Sequence, residues 1–448
     1  MRDLDTDVLV AVLRRAAARG ATAADGFLVE DRHFSATVRL GDVETVTHAR
    51  DQRLSLRVFA GRASAAASTS DLSPASLERV VDEATALARV TAEDPHAGLP
   101  EPGDLVDRLP ELDLEDAGGH ELSPEEKIDL ARRTEAAALE MDPRITNSEG
   151  AEFSDRHARY AYATSSGFVK SYATSSFSLS ASPVAGQNGD MQRDYWYSAA
   201  RKRSRLDDPA SIGKTAARRA LRRLGGRKVK TVEVPVIFDP ENAASLLRSL
   251  AGAASGPALY RRASFLLDRL GSRIASAGVT VVDDGLLPGA LGSRPFDGEG
   301  LATRRTVLVN EGVLESYLLD SYSGRKLGMR STHHAARDGA GVTVSTTNLM
   351  LLPGPASPEE LIASVEDGLY VTELIGFGVN GVTGDYSRGA AGIWIEGGKL
   401  TYPVEEVTVA GNLLEMFAAV DGVANDLVLR DRTASPTLKI RRMVVAGN

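Results

Sequence analysis

The chain has 448 residues, of which 43% are hydrophobic and 25% charged, with a formal net charge of −9 and no cysteine. That length exceeds one ordinary core, so two or three soluble globular domains are expected. The missing cysteines exclude disulfides, thiolate catalysis and cysteine-based zinc sites, and the acidic balance offers no general attraction to nucleic acid or to an anionic membrane.

Leu4, Val8, Leu9, Val12 and Leu13 fall on one helical face, and the helix is expected to stop at Gly20. Acids interrupt this stretch, so it is not read as a signal peptide, and no run reaches the length of a membrane span. A cytoplasmic location is the expectation. Alternating runs over 26–40 and 43–59 predict a small antiparallel meander. Ser73-Pro74 opens a second helix. The stretch TAEDPHAGLPEPGDLVDRLP, rich in Pro, Gly and acids, reads as a surface linker over about 91–111.

Ser123-Pro124-Glu125-Glu126 is a capping box that opens a helix to about Met141. Residues 145–199 are dominated by Ser, Thr, Ala, Tyr and Phe with alternation, which predicts long, partly solvated antiparallel strands. Asp208-Pro209 starts a helix closed by Gly225-Gly226, and a β-rich unit begins at Val232, with one helical region over 242–270. The expected fold class is α+β: an N-terminal α+β domain over 1–227, with antiparallel strands and flanking helices, then a β-rich domain over 228–448.

Several motifs weigh less than they promise. The Lys and Arg residues of 201–230 read as a solvated face or protein interface, because stacking aromatics do not interleave them. Gly213-Lys214-Thr215 lacks the upstream glycine and strand of a P-loop, and Ser387 stands in a displaced nucleophile-elbow pattern without a neighbouring histidine. His33, His48, His96, His120, His157, His333 and His334 form no paired-histidine helix motif. His333-His334 reads as a polar loop, and Asp283-Asp284 and Asp297-Gly298-Glu299 read as turns.

Residues 368–417 string Gly376, Gly378, Gly381, Gly384, Gly389, Gly392, Gly397 and Gly398 between β-branched and aromatic runs. Asn380-Gly381 and Gly397-Gly398 are read as hairpin turns. The words Val382-Thr383-Gly384-Asp385-Tyr386-Ser387-Arg388-Gly389-Ala390-Ala391-Gly392 and Pro403-Val404-Glu405-Glu406, with Thr303 to Leu314 and Leu318 to Tyr322, closely resemble the TldD/PmbA family of bacterial and archaeal proteases and protease partners. The resemblance covers nearly the whole chain, is strongest from Gly298 onward, and is to the PmbA (TldE) branch, which lacks the HExxxH zinc motif. Ser331 to Gly341 departs from the glycine-rich form expected there.

The resemblance implies a two-domain α+β protein whose C-terminal domain houses zinc in the TldD branch, through HExxxH on a helix and a loop cysteine. Carried over, the helix positions fall near Arg248, Ser249 and Ala253, and the cysteine near Gly389 or Ala390. None of these side chains is a zinc ligand. The implied role is a metal-free, non-catalytic subunit without a cofactor of its own. Zinc is then expected in a TldD-type partner, joined as a heterodimer with a homodimer as the weaker assembly, and acting on unfolded or leader peptides. Two readings stay open beside it: an autonomous peptidase with an unrecognised site, and a direct modulator of DNA gyrase. Asn380, Gly381, Thr383, Gly384, Asp385, Tyr386 and Arg388 are the residues expected to hold an extended peptide, because exposed strand edges and loops can pair with any peptide backbone.

Overall fold

The structure is a computed structural model and describes residues 4–116 and 122–447, so His120 lies outside the described residues. Each long helix starts where a short polar side chain can satisfy a free backbone N–H. Asp5 caps α1 (Thr6–Ala18), Ser73 caps α2 (Pro74–Val90), and Ser123 and Glu126 form the reciprocal box at α3 (Pro124–Leu139). Asp208 caps α4 (Pro209–Leu221), and Asp239 caps α5 (Pro240–Ala253).

The N-terminal half is one antiparallel sheet of β1 (Ala23–Arg39), β2 (Asp42–Ala60), β3 (Ala63–Thr69), β4 (Ile145–Thr164), β5 (Val169–Gln187), β6 (Asp190–Arg193) and β7 (Trp196–Ala200), in the order β3-β2-β1-β4-β5-β6 with β7 also on β5. The expected meander is therefore part of a larger sheet, since β1 pairs with β4 from Asp25 opposite Thr164 to Val38 opposite Ala151. Period-2 alternation sorts its faces. Leu28, Phe34, Phe153 and Leu179 point to the helices, whereas Phe27, Tyr160, Tyr172 and Ser178 point toward the C-terminal half. Gly213 lets α4 approach α3, because a Cβ there would stand 2.1 Å from the Thr134 carbonyl oxygen.

In the C-terminal half β8 (Val232–Phe238) precedes α5. A five-stranded sheet follows, β11 (Val313–Leu314), β10 (Arg305–Asn310), β9 (Val281–Asp284), β14 (Leu349–Leu351) and β19 (Thr433–Ala434), together with a hairpin of β12 (Ala335–Asp338) and β13 (Gly341–Val344). The other sheet runs β17 (Lys399–Asn412), β16 (Asp385–Glu396), β15 (Asp367–Ile375), β8, β20 (Leu438–Ala446) and β18 (Val420–Val423), and β17 also pairs with β20, closing it on itself. Its inward side chains and α5 build the largest core. The architecture is α+β in the order expected.

Two local expectations are corrected. The helix begun at α5 does not reach residue 270: after a single turn at Gly256–Tyr260, Arg262 and Asp268 take φ of 57° and 58°, a left-handed conformation that breaks a helix. Asp283-Asp284 is not a turn but the buried end of β9. The Pro-rich segment after Thr91 is tied into both halves, with Arg325 donating to the His96 and Gly98 carbonyls at 2.7 and 2.8 Å and Ser175 N–H to the Leu114 carbonyl at 2.9 Å. A buried ion cluster also joins the halves. Asp25 receives Arg57 at 2.6 Å, Arg337 at 2.7 Å and the Tyr162 hydroxyl at 2.9 Å, and Arg57 reaches Glu299 at 3.2 Å.

Candidate functional site

The glycine-punctuated segment forms the loop of the β15–β16 hairpin and the turn between β16 and β17. Gly397 and Gly398 supply positive φ of 55° and 73° to a two-residue turn between Glu396 and Lys399, the geometry that favours Gly there. Asn380-Gly381 is different, since neither residue has positive φ. The Asn380 side-chain oxygen instead accepts from Val382 N–H at 2.9 Å and Thr383 N–H at 3.4 Å, so the loop is shaped by an Asx turn.

Most of the expected peptide-holding side chains are engaged within the loop. Thr383 Oγ1 donates to Asp385 at 2.6 Å, and Asn412 Nδ2 donates to the Thr383 carbonyl at 2.9 Å. These hydroxyl and amide donors hold the Asp385 carboxyl below its ordinary value. The Gly381 carbonyl accepts from Phe265 N–H, and that of Gly384 from Leu413 N–H. Tyr386 is buried, and burial pushes its phenol up to about 12. Arg388 donates to the Leu374 carbonyl at 3.2 Å and to Ser245 Oγ on α5 at 3.5 Å. The strand-edge mode of peptide pairing finds no free edge: β16 pairs with β17 and, from Gly389 onward, with β15, and before that Ser387 N–H bonds the Gly378 carbonyl and Asn380 N–H the Asp385 carbonyl. Beside the exposed Asn380, Thr383 and Asp385, the loop offers solvent three bulky apolar groups, Ile375, Phe377 and Val382, with Phe377 exposed completely. The sequence reading passed over these three, although bulky apolar residues in a Gly-rich turn were a visible signal.

The positions set against the family's zinc site lie on α5 and β16. Arg248 is exposed, Ser249 Oγ donates to the Ser245 carbonyl at 3.1 Å, and Ala253 and Ala390 are buried methyls. A guanidinium, a hydroxyl committed to its own helix and two methyls do not fit a zinc ion. Among the described residues no group of three or more His, Asp or Glu is placed to hold a metal.

His334 shows a different constellation. Its Nε2 meets Asp283 at 3.1 Å and its Nδ1 meets Thr332 Oγ1 at 2.9 Å. It resembles a hydroxyl–imidazole–carboxylate triad, but His334 is 2% exposed, Asp283 also accepts Thr347 N–H and Oγ1, and Thr332 Oγ1 accepts from Leu319 N–H. No substrate reaches it, and it serves as a packed polar tie. The basic stretch is likewise turned inward more than expected. Arg219 pairs with Asp194 at 3.2 Å and Asp239 at 3.6 Å, and Arg223 grips Glu373, which ties α4 to the C-terminal half. Ser387 lies on β16, its N–H bonded to the Gly378 carbonyl.

A cavity of about 550 Å³ lies elsewhere, between the polar face of the N-terminal sheet and the C-terminal half, lined by Arg201, Arg294, Arg432, Tyr160 and Tyr172 among others. Arg432 immediately precedes β19, which packs against α5. Sequence reasoning saw the alternating Ser, Thr and Tyr residues of these strands but assigned them to solvent.

Residues 24–88, 119–224 and 231–447 match, in turn, domain 1, the central domain and the C-terminal domain of the PmbA/TldA metallopeptidases. The chain is 40% identical to the metalloprotease PmbA of Escherichia coli O157:H7, over 92% of this chain and 90% of that one. It is 36% identical to a PmbA homologue of Haemophilus influenzae, over 93% and 90%. A solved structure from Bacteroides thetaiotaomicron, described as a proposed modulator of DNA gyrase, superposes with a TM-score of 0.92 at 30% identity and full coverage of both chains. TldE of Thermococcus kodakarensis shares the fold, with a TM-score of 0.88 at 21% identity over 98% of this chain and 100% of that one.

Proposed function

This chain belongs to the PmbA/TldD metallopeptidase family, and from that premise we propose that it is the metal-free, non-catalytic subunit of a zinc protease complex acting on unfolded or leader peptides. The observation that carries the reading is α5. Where the TldD branch is expected to hold HExxxH, this helix carries Arg248, Ser249 and Ala253, and the cysteine position falls at a buried Ala390. A relative that keeps the fold and lacks the ligands is most simply retained as half of a pseudo-symmetric pair, with zinc in its HExxxH-bearing partner. Zinc bound there would activate water for peptide hydrolysis. This chain's part is to bind and present peptide.

The exposed Ile375, Phe377 and Val382 at the β15–β16 tip supply a contact for an unfolded segment, which has apolar side chains to bury and unpaired backbone. Asn380, Thr383 and Asp385 set the shape of that loop, and Arg388 fixes it to α5. Co-expression with an HExxxH-bearing relative, then size-exclusion chromatography with light scattering, tests the assembly. A one-to-one complex burying more than roughly 1,000 Å² is expected to survive dilution to micromolar concentration. Separate elution of the two chains would count against the subunit role.

A further inference from the structure

The cavity between the N-terminal sheet and the C-terminal half carries positive charge without a matching counter-charge. Arg201 is 8% exposed, and its guanidinium donates only to backbone carbonyls, those of Leu291 at 2.6 Å, Ser175 at 3.1 Å, Ala290 at 3.3 Å and Ser293 at 3.4 Å. Arg294 keeps Nε and Nη2 buried and without a hydrogen-bond partner. Arg432, exposed, lines the same space. None of the three forms an ion pair among the described residues.

Of the other cations of the cavity, Arg53 is exposed to solvent and two more are paired. Arg156 is held by Asp31 at 2.6 Å and Arg337 by Asp25 at 2.7 Å. Asp297 accepts from the N–H groups of Glu299, Leu301 and Ala335 at 2.9, 3.0 and 3.1 Å, and burial, with the Glu299 charge, pushes it up to about 7 against the opposing pull of the Arg294 charge. It is a weak counter-ion. The Asp431 charge acts on the Tyr197 phenol, whereas those of Arg294, Arg201 and Arg432 converge on Tyr172. Burial, together with Arg432, holds the Arg201 guanidinium down to about 10. A cation under such strain gains from an anion that enters beside it.

The free atoms of Arg294 also have a shape. Nε and Nη2 form the guanidinium edge that grips a carboxylate with two parallel bonds. Arg57 uses that edge on Asp25 in this molecule, at 3.2 and 2.6 Å. Beside it Tyr160 and Tyr172 stack with centroids 5.0 Å apart, and Phe296 meets Tyr172 edge-on at 5.1 Å. An inorganic anion would leave this aromatic floor uncovered.

We infer that the cavity binds the carboxylate of an extended peptide, an acidic side chain or a free chain end, held by the Arg294 guanidinium in the field of Arg201 and Arg432, with a neighbouring apolar side chain laid on Tyr160 and Tyr172. The choice of a peptide rests on the peptide-handling reading above, and the anion argument stands without it.

Calorimetric titration of the full chain alone, at low salt, tests the site. The probes are a short peptide with one tyrosine, two acidic residues and a free carboxyl end, its uncharged counterpart with Gln and Asn and an amidated end, and inorganic phosphate. The acidic peptide is expected to saturate one site, and the counterpart to bind about tenfold weaker or less, a difference of about 1.4 kcal/mol. Phosphate at equal concentration is expected not to displace it. Arg294→Gln should weaken the acidic peptide about tenfold with an unchanged thermal melt. If that variant melts early, Arg432→Gln, on an exposed side chain, gives the same readout. Equal binding of the two peptides, no binding at millimolar concentration, phosphate binding tighter than the acidic peptide, or undiminished binding by the correctly folded variant would overturn the site. Neither a partner nor zinc is required, so a failure here and a failure of the complex to form are separate results.

Discussion

Asp25 is the carboxylate shared by Arg57, Tyr162 and Arg337 in the buried cluster that joins the two halves. Burial alone would raise its carboxyl, but Arg337 and Arg57 outweigh burial and hold it well below the ordinary carboxylate range. A depressed folded value means that the stabilisation is fully present above the unfolded value of about 3.9 and is lost as pH falls below it. Asp25→Asn should therefore cost about 3–5 kcal/mol at pH 7, by stranding two largely buried guanidinium groups, and the gap to the parent should narrow below about pH 4. Urea denaturation at both pH values measures it. This cluster was not legible in the sequence, because Asp25, Arg57, Glu299 and Arg337 are separated by up to 312 positions and no motif links them. Phe377 makes the opposite kind of prediction. Its ring is fully exposed, so Phe377→Ser should leave the melt unchanged, yet raise KM for unfolded peptides roughly tenfold or more in the reconstituted complex, as expected from losing about 1.5–3 kcal/mol of apolar burial. An unchanged KM would remove the β15–β16 tip from the peptide path.

Helix starts were legible because capping is local chemistry: Ser73, Ser123 and Asp208 each precede a proline and accept from a nearby N–H, as their types require. The pairing of β1 with β4 was not, since it joins strands more than a hundred residues apart and leaves only period-2 alternation in each. Asn380-Gly381 marks the loop of the β15–β16 hairpin but not a two-residue turn, because the Asn side chain captured the turn itself. Glycines separate helix propensity from packing. Gly213→Ala would ordinarily gain about 1 kcal/mol in a helix, but here its methyl would meet the Thr134 carbonyl of α3, and overpacking of about 1–3 kcal/mol should win. Gly252, exposed on α5 with open space beside it, should instead stabilise by about 0.5–1 kcal/mol as Ala. Thermal melts of the two variants should move in opposite directions, and a shared direction would mean that α3 and α4 do not pack as closely as described.

At the scale of the whole molecule, the order of an N-terminal sheet with helices and a β-rich C-terminal half was readable, and so was the family, because Val382 to Gly392 and Thr303 to Leu314 are continuous words. The cavity was not readable. It arises only when the polar rows of β4 and β5 face residues 291–298 and 431–432 across the joint, and alternation alone cannot tell a solvated face from one that closes over a cleft. No described helix is long and apolar enough to cross a membrane. The central claim, a subunit that has kept the fold and lost the metal, is tested most directly by metal analysis of the purified chain alone, coupled to a peptidase assay before and after chelation. The account predicts no stoichiometric zinc and no hydrolysis by this chain, with activity appearing only when the HExxxH-bearing partner is added. One tightly held zinc per chain, removed by chelator together with peptidase activity of the chain alone, would contradict it.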